Sequence, residues 1–275
     1  LIIKIMKALF NFILLLVFSH SLFAQKVIRE KIFSAKMKKE ISTIIVAPDI
    51  KPHQQYKTVY ILHGYSGNPE RTLKQDIPDL QAKAKAFNTI YILPDGNYNS
   101  WYVDSPVDKK SQYKTFIGSE LVQYIDGHYP TKAEKKSRGI IGWSMGGFGA
   151  LYIGTSFPEA FGIVGSSCGA LDFRTFNEGY NNYQVDKVLG PLSSLGSDYI
   201  LSDNTDKMLN TGQYYILDCG INDFFISKNQ NFHQELLSKK IEHLYIESLG
   251  EHNTKYWSRA LSNQLLLFEN FFTHQ

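Results

Sequence analysis

The sequence predicts an α/β fold: a mostly parallel central sheet with helices on both faces and a small cap or long loops above it. Three observations carry this reading. Short β-rich segments alternate with stretches of helical periodicity. Several β segments are apolar throughout, as strands covered on both faces must be. The alternation then breaks over residues 172–213, where Asn, Gly, Ser and Tyr are frequent, and such irregular stretches tend to form loops over the strand ends where sites are built.

The expected strands are 41–46, 58–62, 89–93, 139–143, 163–167, 214–218 and 244–247. The expected helices are 73–87, 115–129, 145–156, 229–241 and 255–272, the last placing Trp257, Leu261, Leu265 and Phe268 on one stripe. Of the 275 residues, 43% are hydrophobic and 20% charged, the balance of an ordinary globular chain with ample material for a core.

The first residues read differently. Lys4 and Lys7 precede an apolar run over 8–18 that closes at Ser21-Leu22-Phe23-Ala24, the order of a secretory signal peptide. A membrane anchor is the rival reading, but the run falls short of the roughly 20 apolar residues that span a bilayer. The expectation is a signal peptide over 1–24, a single domain over 25–275, and an exported protein, periplasmic or extracellular, with no stable membrane anchor once the leader is cleaved. Cleavage removes two lysines and no acid, leaving 27 basic residues against 26 acidic ones. Nothing in that balance favours a polyanion, so no nucleic-acid partner is expected.

The chain has two cysteines, Cys168 and Cys219, each at the end of an expected strand. If those strands are neighbours, a disulfide is geometrically possible in an oxidising compartment, although two buried thiols are the preferred reading. Neither fits a metal site, which needs more ligands at short spacing, and no metal or organic cofactor is expected.

Gly142-Trp143-Ser144-Met145-Gly146 follows an apolar strand and precedes an expected helix. The bare G-x-S-x-G pattern is weak evidence, but in this setting it describes a sharp strand-to-helix turn that presents a serine oxygen to a cleft. Glycines flank such a serine because side chains there would collide with the neighbouring strand and helix. Ser144 is therefore the candidate nucleophile.

A nucleophilic serine needs a base. His252 lies in a Gly250-Glu251-His252 turn between the last strand and the last helix, a position that returns to the top of the sheet. The orienting acid should come from the loop after the penultimate strand, which offers Asp218 at the strand end and Asp223 farther out. Asp223 is preferred because it can reach the imidazole, with Asp172 a distant third. The order Ser, Asp, His along the chain is that of α/β-hydrolases.

An oxyanion hole needs two backbone donors. Met145, directly after the serine, should give one. Tyr65, in the turn Leu62-His63-Gly64-Tyr65, should give the other, with the His63 ring ordering that loop and standing near substrate. Ser100-Trp101-Tyr102 follows a strand end, so Trp101 and Tyr102 are candidate substrate-binding residues. Plain packing is an equally good account of them.

At this point the chain resembles a family of esterases that includes acetyl xylan and feruloyl esterases, tributyrin esterases, S-formylglutathione hydrolases and mycolyltransferases. The resemblance runs through Val59 to Gly67, Leu93-Pro94-Asp95-Gly96, Ser100 to Ser105, Gly142 to Gly149, Asp218 to Asp223 and Gly250-Glu251-His252 with Tyr256-Trp257. It implies Ser144, Asp223 and His252 as triad and Tyr65 and Met145 as oxyanion donors. Two departures bear on substrate fit: Cys168 stands where relatives often carry Ser-Gly, and Asn253-Thr254 replaces the aspartate and tryptophan that often follow the histidine.

The expected function is hydrolysis of carboxylic esters through an acyl-enzyme. The partner would be a small-molecule or oligosaccharide ester, such as an acetyl or feruloyl ester of carbohydrate. Transfer of the acyl group to a sugar alcohol uses the same groups and is the rival within enzymes. A non-catalytic carbohydrate-binding relative is the rival from outside.

Overall fold

The computed structural model describes residues 26–274, so the expected signal peptide over 1–24 lies outside the described residues. Eight strands form one sheet: β1 (Lys26–Ser34), β2 (Lys39–Ala47), β3 (Lys57–Leu62), β4 (Thr89–Pro94), β5 (Arg138–Trp143), β6 (Ile163–Ser167), β7 (Tyr214–Gly220) and β8 (His243–Ser248). Their order is β1-β2-β4-β3-β5-β6-β7-β8. The pairs β1–β2 and β2–β4 are antiparallel and every later pair is parallel.

Strand β1 was not among the expected elements. Its sequence KVIREKIFS scatters charge among apolar residues, and as an edge strand it stays largely exposed. Charged side chains on an edge discourage pairing with another chain, which is why such a strand reads poorly as sheet. The central strands show the opposite pattern: every residue of β4 and β5 is buried.

Five main helices cover the sheet: α1 (Leu80–Phe87), α2 (Leu121–His128), α3 (Met145–Ser156), α4 (Ile226–Ser238) and α5 (Thr254–Thr273). Side chains alternate between the two faces of each strand. Tyr60, Leu62, Ile140 and Val164 join α2, α3 and α4 in one core, while Val59, Ile61, Ile141 and Ile163 join α1 and α5 in the other. Leu261, Leu265 and Phe268 of α5 are buried, each burial stabilising by roughly 1.5–3 kcal/mol relative to exposure. Among the described residues, no helix is long and apolar enough to cross a membrane.

The helix expected over 73–87 is broken. A short turn, Pro69–Arg71, runs into a wide π-helical turn, Thr72–Asp76, closed by Ile77 N–H donating to the Thr72 carbonyl at 2.8 Å. Pro78 then stops it, because the residue before a proline is driven out of the helical region. Ile77 accordingly sits at φ −136°, ψ 71°. The segment over 172–213 is a run of short helical turns, including Gly179–Asn182 and Val185–Leu189, that caps the sheet. It is pinned to the body where Trp101 Nε1 donates to the Tyr183 carbonyl at 3.0 Å.

Candidate active site

Ser144 joins β5 to α3 at φ 54°, ψ −118°, a backbone region that residues with side chains rarely occupy. The surroundings hold it there. Its N–H donates to the Ser167 carbonyl at 3.0 Å, and its own carbonyl accepts from Phe148 N–H at 3.1 Å. The turn closes only because its flanks lack side chains: a β-carbon on Gly142 would overlap the Gly146 carbonyl, and one on Gly146 would overlap that of Leu62. Helix α3 is buried along nearly its whole length, so the serine stands on a rigid base.

Asp223 and His252 arrive on two loops laced together. Asn222 N–H donates to the Gly250 carbonyl and Ile221 N–H to that of Ser248, both at 3.0 Å. Asn253, directly after the histidine, caps α5 by accepting from Tyr256 N–H at 3.1 Å. The departure noted at Asn253 thus has a structural role, fixing the helix start against the histidine.

These elements bring the three residues into line. His252 Nε2 lies 2.9 Å from Ser144 Oγ, and His252 Nδ1 lies 2.7 Å from Asp223 Oδ2. The partners assign the tautomer: Nδ1–H donates to the carboxylate, leaving Nε2 to accept the hydroxyl proton. The Asp223 side chain is fully buried, and its other oxygen accepts from Phe225 N–H at 2.8 Å. Burial works against a charged imidazole, but the hydrogen bond and charge of Asp223, with Cys168 alongside, outweigh it and hold His252 above the ordinary 6.5.

The alternative acids do other work. Asp218 is buried at the end of β7, where Oδ1 accepts from Ser167 Oγ at 2.6 Å and from the Tyr256 hydroxyl at 3.2 Å, and Oδ2 accepts from Gln264. Burial pushes its pKa up to about 6 against those hydrogen bonds. It ties β6, β7 and α5 together behind the site. Asp172 caps a surface turn and pairs with Arg174.

Tyr65 lines the cleft beside Ser144, and Met145 follows the serine as the first residue of α3. The Gly64 carbonyl accepts from His63 Nδ1 at 2.8 Å and from Gly67 N–H at 3.0 Å. A planar trans peptide carries its N–H opposite its carbonyl, so these bonds point the Tyr65 N–H away from His63 Nδ1 and the Gly67 amide. The Tyr65 amide has no hydrogen-bond partner among the described residues.

The substrate-binding expectations need correction at two positions. His63 is buried, with Nε2 accepting from Gly96 N–H at 2.8 Å, so both ring nitrogens serve the loop backbone. Tyr102 is also buried, its hydroxyl donating to the His63 carbonyl at 3.0 Å. Both support the wall from behind, while Trp101 lines the cleft itself. The cleft holds about 350 Å³, with aromatic walls from Tyr65, Trp101, Tyr183, Phe224 and Phe225. Sequence reasoning missed Tyr183, Phe224 and Phe225; the Phe-Phe pair directly after the candidate acid was the available signal.

Cys168 and Cys219 are buried free thiols in one small cluster. Cys168 takes φ 46°, the left-handed region that glycine would occupy without strain. The possible ligand atoms of Cys168, Asp223 and His252 lie within 4.8 Å of one another. They make a poor metal site, since burial pushes the Cys168 thiol up and so keeps it protonated, and the histidine and aspartate nitrogens and oxygens are already hydrogen-bonded.

A family model described as "Putative esterase" matches residues 34–268. An acetyl esterase of Caldicellulosiruptor saccharolyticus is 28% identical over 256 residues, covering 84% of this chain and 93% of the relative. Among solved structures, the fluorophosphonate-binding serine hydrolase F of Staphylococcus aureus superposes with a TM-score of 0.79 at 19% identity, over 89% of this chain and 98% of that one. A ferulic acid esterase does so with 0.77 at 21%, over 91% and 99%.

Asp218→Ala leaves three buried donors without their acceptor and should cost on the order of 2–4 kcal/mol in urea unfolding. A thiol reagent should titrate no cysteine in the native protein at pH 7 and two after denaturation; fewer than two under non-reducing denaturation would indicate a disulfide.

Proposed function

The chain belongs to this esterase family and is a serine carboxylic-ester hydrolase, and within that class we propose that Ser144, His252 and Asp223 are its catalytic triad. The observation that carries the assignment is the unbroken line from Ser144 Oγ through the imidazole to Asp223, with links of 2.9 and 2.7 Å. His252 takes the hydroxyl proton as Ser144 attacks the ester carbonyl. The amides of Tyr65 and Met145 receive the developing oxyanion. His252 then protonates the leaving alcohol and activates the water that releases the acid, while Asp223 holds the ring and favours its charged form.

The proposed substrates are acetyl or feruloyl esters of carbohydrate, or other short acyl esters, met outside the cytoplasm after export on the leader over 1–24. The acetyl esterase relative and the aromatic cleft support this reading. Transfer of the acyl group to a sugar alcohol would run on the same residues, with the acceptor in place of water.

Ser144→Ala should lower kcat for p-nitrophenyl acetate by about 10⁴-fold or more. A drop under tenfold would remove Ser144 from the mechanism. The base must be neutral to act, and its folded-state pKa is raised, so activity should fall with decreasing pH through a single ionisation above 6.5. Asp223→Asn should move that acid limb downward as well as lowering kcat.

A further inference from the structure

One wall of the cleft is polar and unsatisfied. Among the described residues, both carboxylate oxygens of Asp76, the Nε of Arg71 and the Nε1 of Trp257 are buried atoms without a hydrogen-bond partner. All three residues line the cavity that contains Ser144 and His252. The Asp76 side chain is 1% exposed. Buried polar groups are nearly always paired, because each orphan costs about 1–3 kcal/mol. Four of the twelve such atoms among the described residues belong to residues lining this one cavity, and that concentration marks it as a place where a ligand can complete the bonding.

The wide turn creates this arrangement. In an ordinary α-helix, residues five apart point in different directions, but the extra residue per turn in Thr72–Asp76 returns Asp76 to the side of Arg71. Arg71 Nε and Asp76 Oδ1 then stand 3.8 Å apart, too far for a hydrogen bond and near enough to grip one atom together.

The chemistry of that atom follows from the donor and acceptor set. The guanidinium and the indole can only donate, and an ionised carboxylate can only accept. Burial pushes the Asp76 carboxyl up to about 6 against the pull of Arg71 and His63, so it is largely ionised at neutral pH. A hydroxyl answers groups of both kinds, donating to one carboxylate oxygen while accepting from up to two donors. An anionic group would meet the Asp76 charge, and an apolar group would leave the orphans in place.

Position assigns the hydroxyl to one side of the ester. Arg71 Nη2 lies 3.4 Å from Thr254 Oγ1, two residues beyond His252. The Trp257 ring packs edge-on to His252, with centroids 5.1 Å apart. The cluster thus flanks the imidazole that protonates the departing alcohol, whereas the acyl carbonyl is drawn to Tyr65 and Met145. We propose that Asp76 and Arg71, with Trp257, form a specificity subsite that binds a free hydroxyl on the alcohol portion of the substrate, selecting esters of polyols or sugars. This rests on the hydrolytic reading above and names its alcohol side.

Two acetates with the same acyl group separate the sides: p-nitrophenyl acetate, whose alcohol has no second hydroxyl, and a monoacetylated methyl xyloside with free neighbouring hydroxyls. The readout is the ratio of kcat/KM for the xyloside ester to that for the aryl ester. Asp76→Asn and Arg71→Gln should each lower the ratio at least tenfold, chiefly through KM. Arg71→Gln lies at a partly exposed position and serves if Asp76→Asn fails to fold, as judged by near-UV circular dichroism. An unchanged ratio in either folded variant overturns the subsite, as does wild-type protein that cleaves the aryl ester but not the xyloside ester. Failure of the wild type on both acetates would instead overturn the hydrolytic reading.

Discussion

Six strands, β3 to β8, run parallel, so their carboxyl ends open onto one edge of the sheet. The site depends on that constraint. Ser144 and His252 are 108 residues apart in sequence, and Asp223 lies 29 before the histidine. Each follows the end of a different strand, and fixed strand spacing sets the distance between them. Positioning of this kind comes from backbone hydrogen bonds rather than from flexible side chains. The three side chains are therefore in line before any substrate arrives, which is where much of a preorganised site's advantage lies.

The second layer is polar and buried, and its members hold the strand ends in register. Asp218 gathers hydrogen bonds from β6 and α5, and His63 fixes the Gly64 peptide. Such groups stabilise only when all their partners are present. Asp218 and His63 meet that condition through named partners, whereas Asp76 does not. The contrast separates residues whose partners all lie in the scaffold from a buried cleft-lining residue that lacks them.

The sheet was legible wherever burial was two-sided, because apolar runs such as Ile140-Ile141 announce strands covered on both faces. Strand β1 escaped because an exposed edge imposes no such pattern. The hydrogen-bonded line of the proposed triad was legible because its parts need particular residues in particular settings: glycines at the elbow, a histidine after the last strand, an aspartate beyond the one before it. The break at Pro78 was hidden for a physical reason. Leu73, Ile77, Leu80 and Ala84 keep helical spacing and all are buried in one core, so periodicity continued across a turn whose hydrogen bonding had changed. Asp76 could not be read as a cleft residue because its direction depends on that change. Tyr102 and His63 were assigned to the cleft from their neighbours in sequence, although alternate direction and buried partners place them behind it.

The wide turn at Thr72–Asp76 has a bearing on how the protein can diverge. Deleting a single residue there would restore ordinary helical winding and rotate everything downstream within the turn by roughly 100°. The carboxylate would swing off the cavity while the elbow, the imidazole and the amide donors stayed where they are. Selectivity for the alcohol is thereby set by segment length as much as by residue identity. Descendants of this chain can gain or lose that preference through one codon's insertion or loss, with the reaction itself left intact.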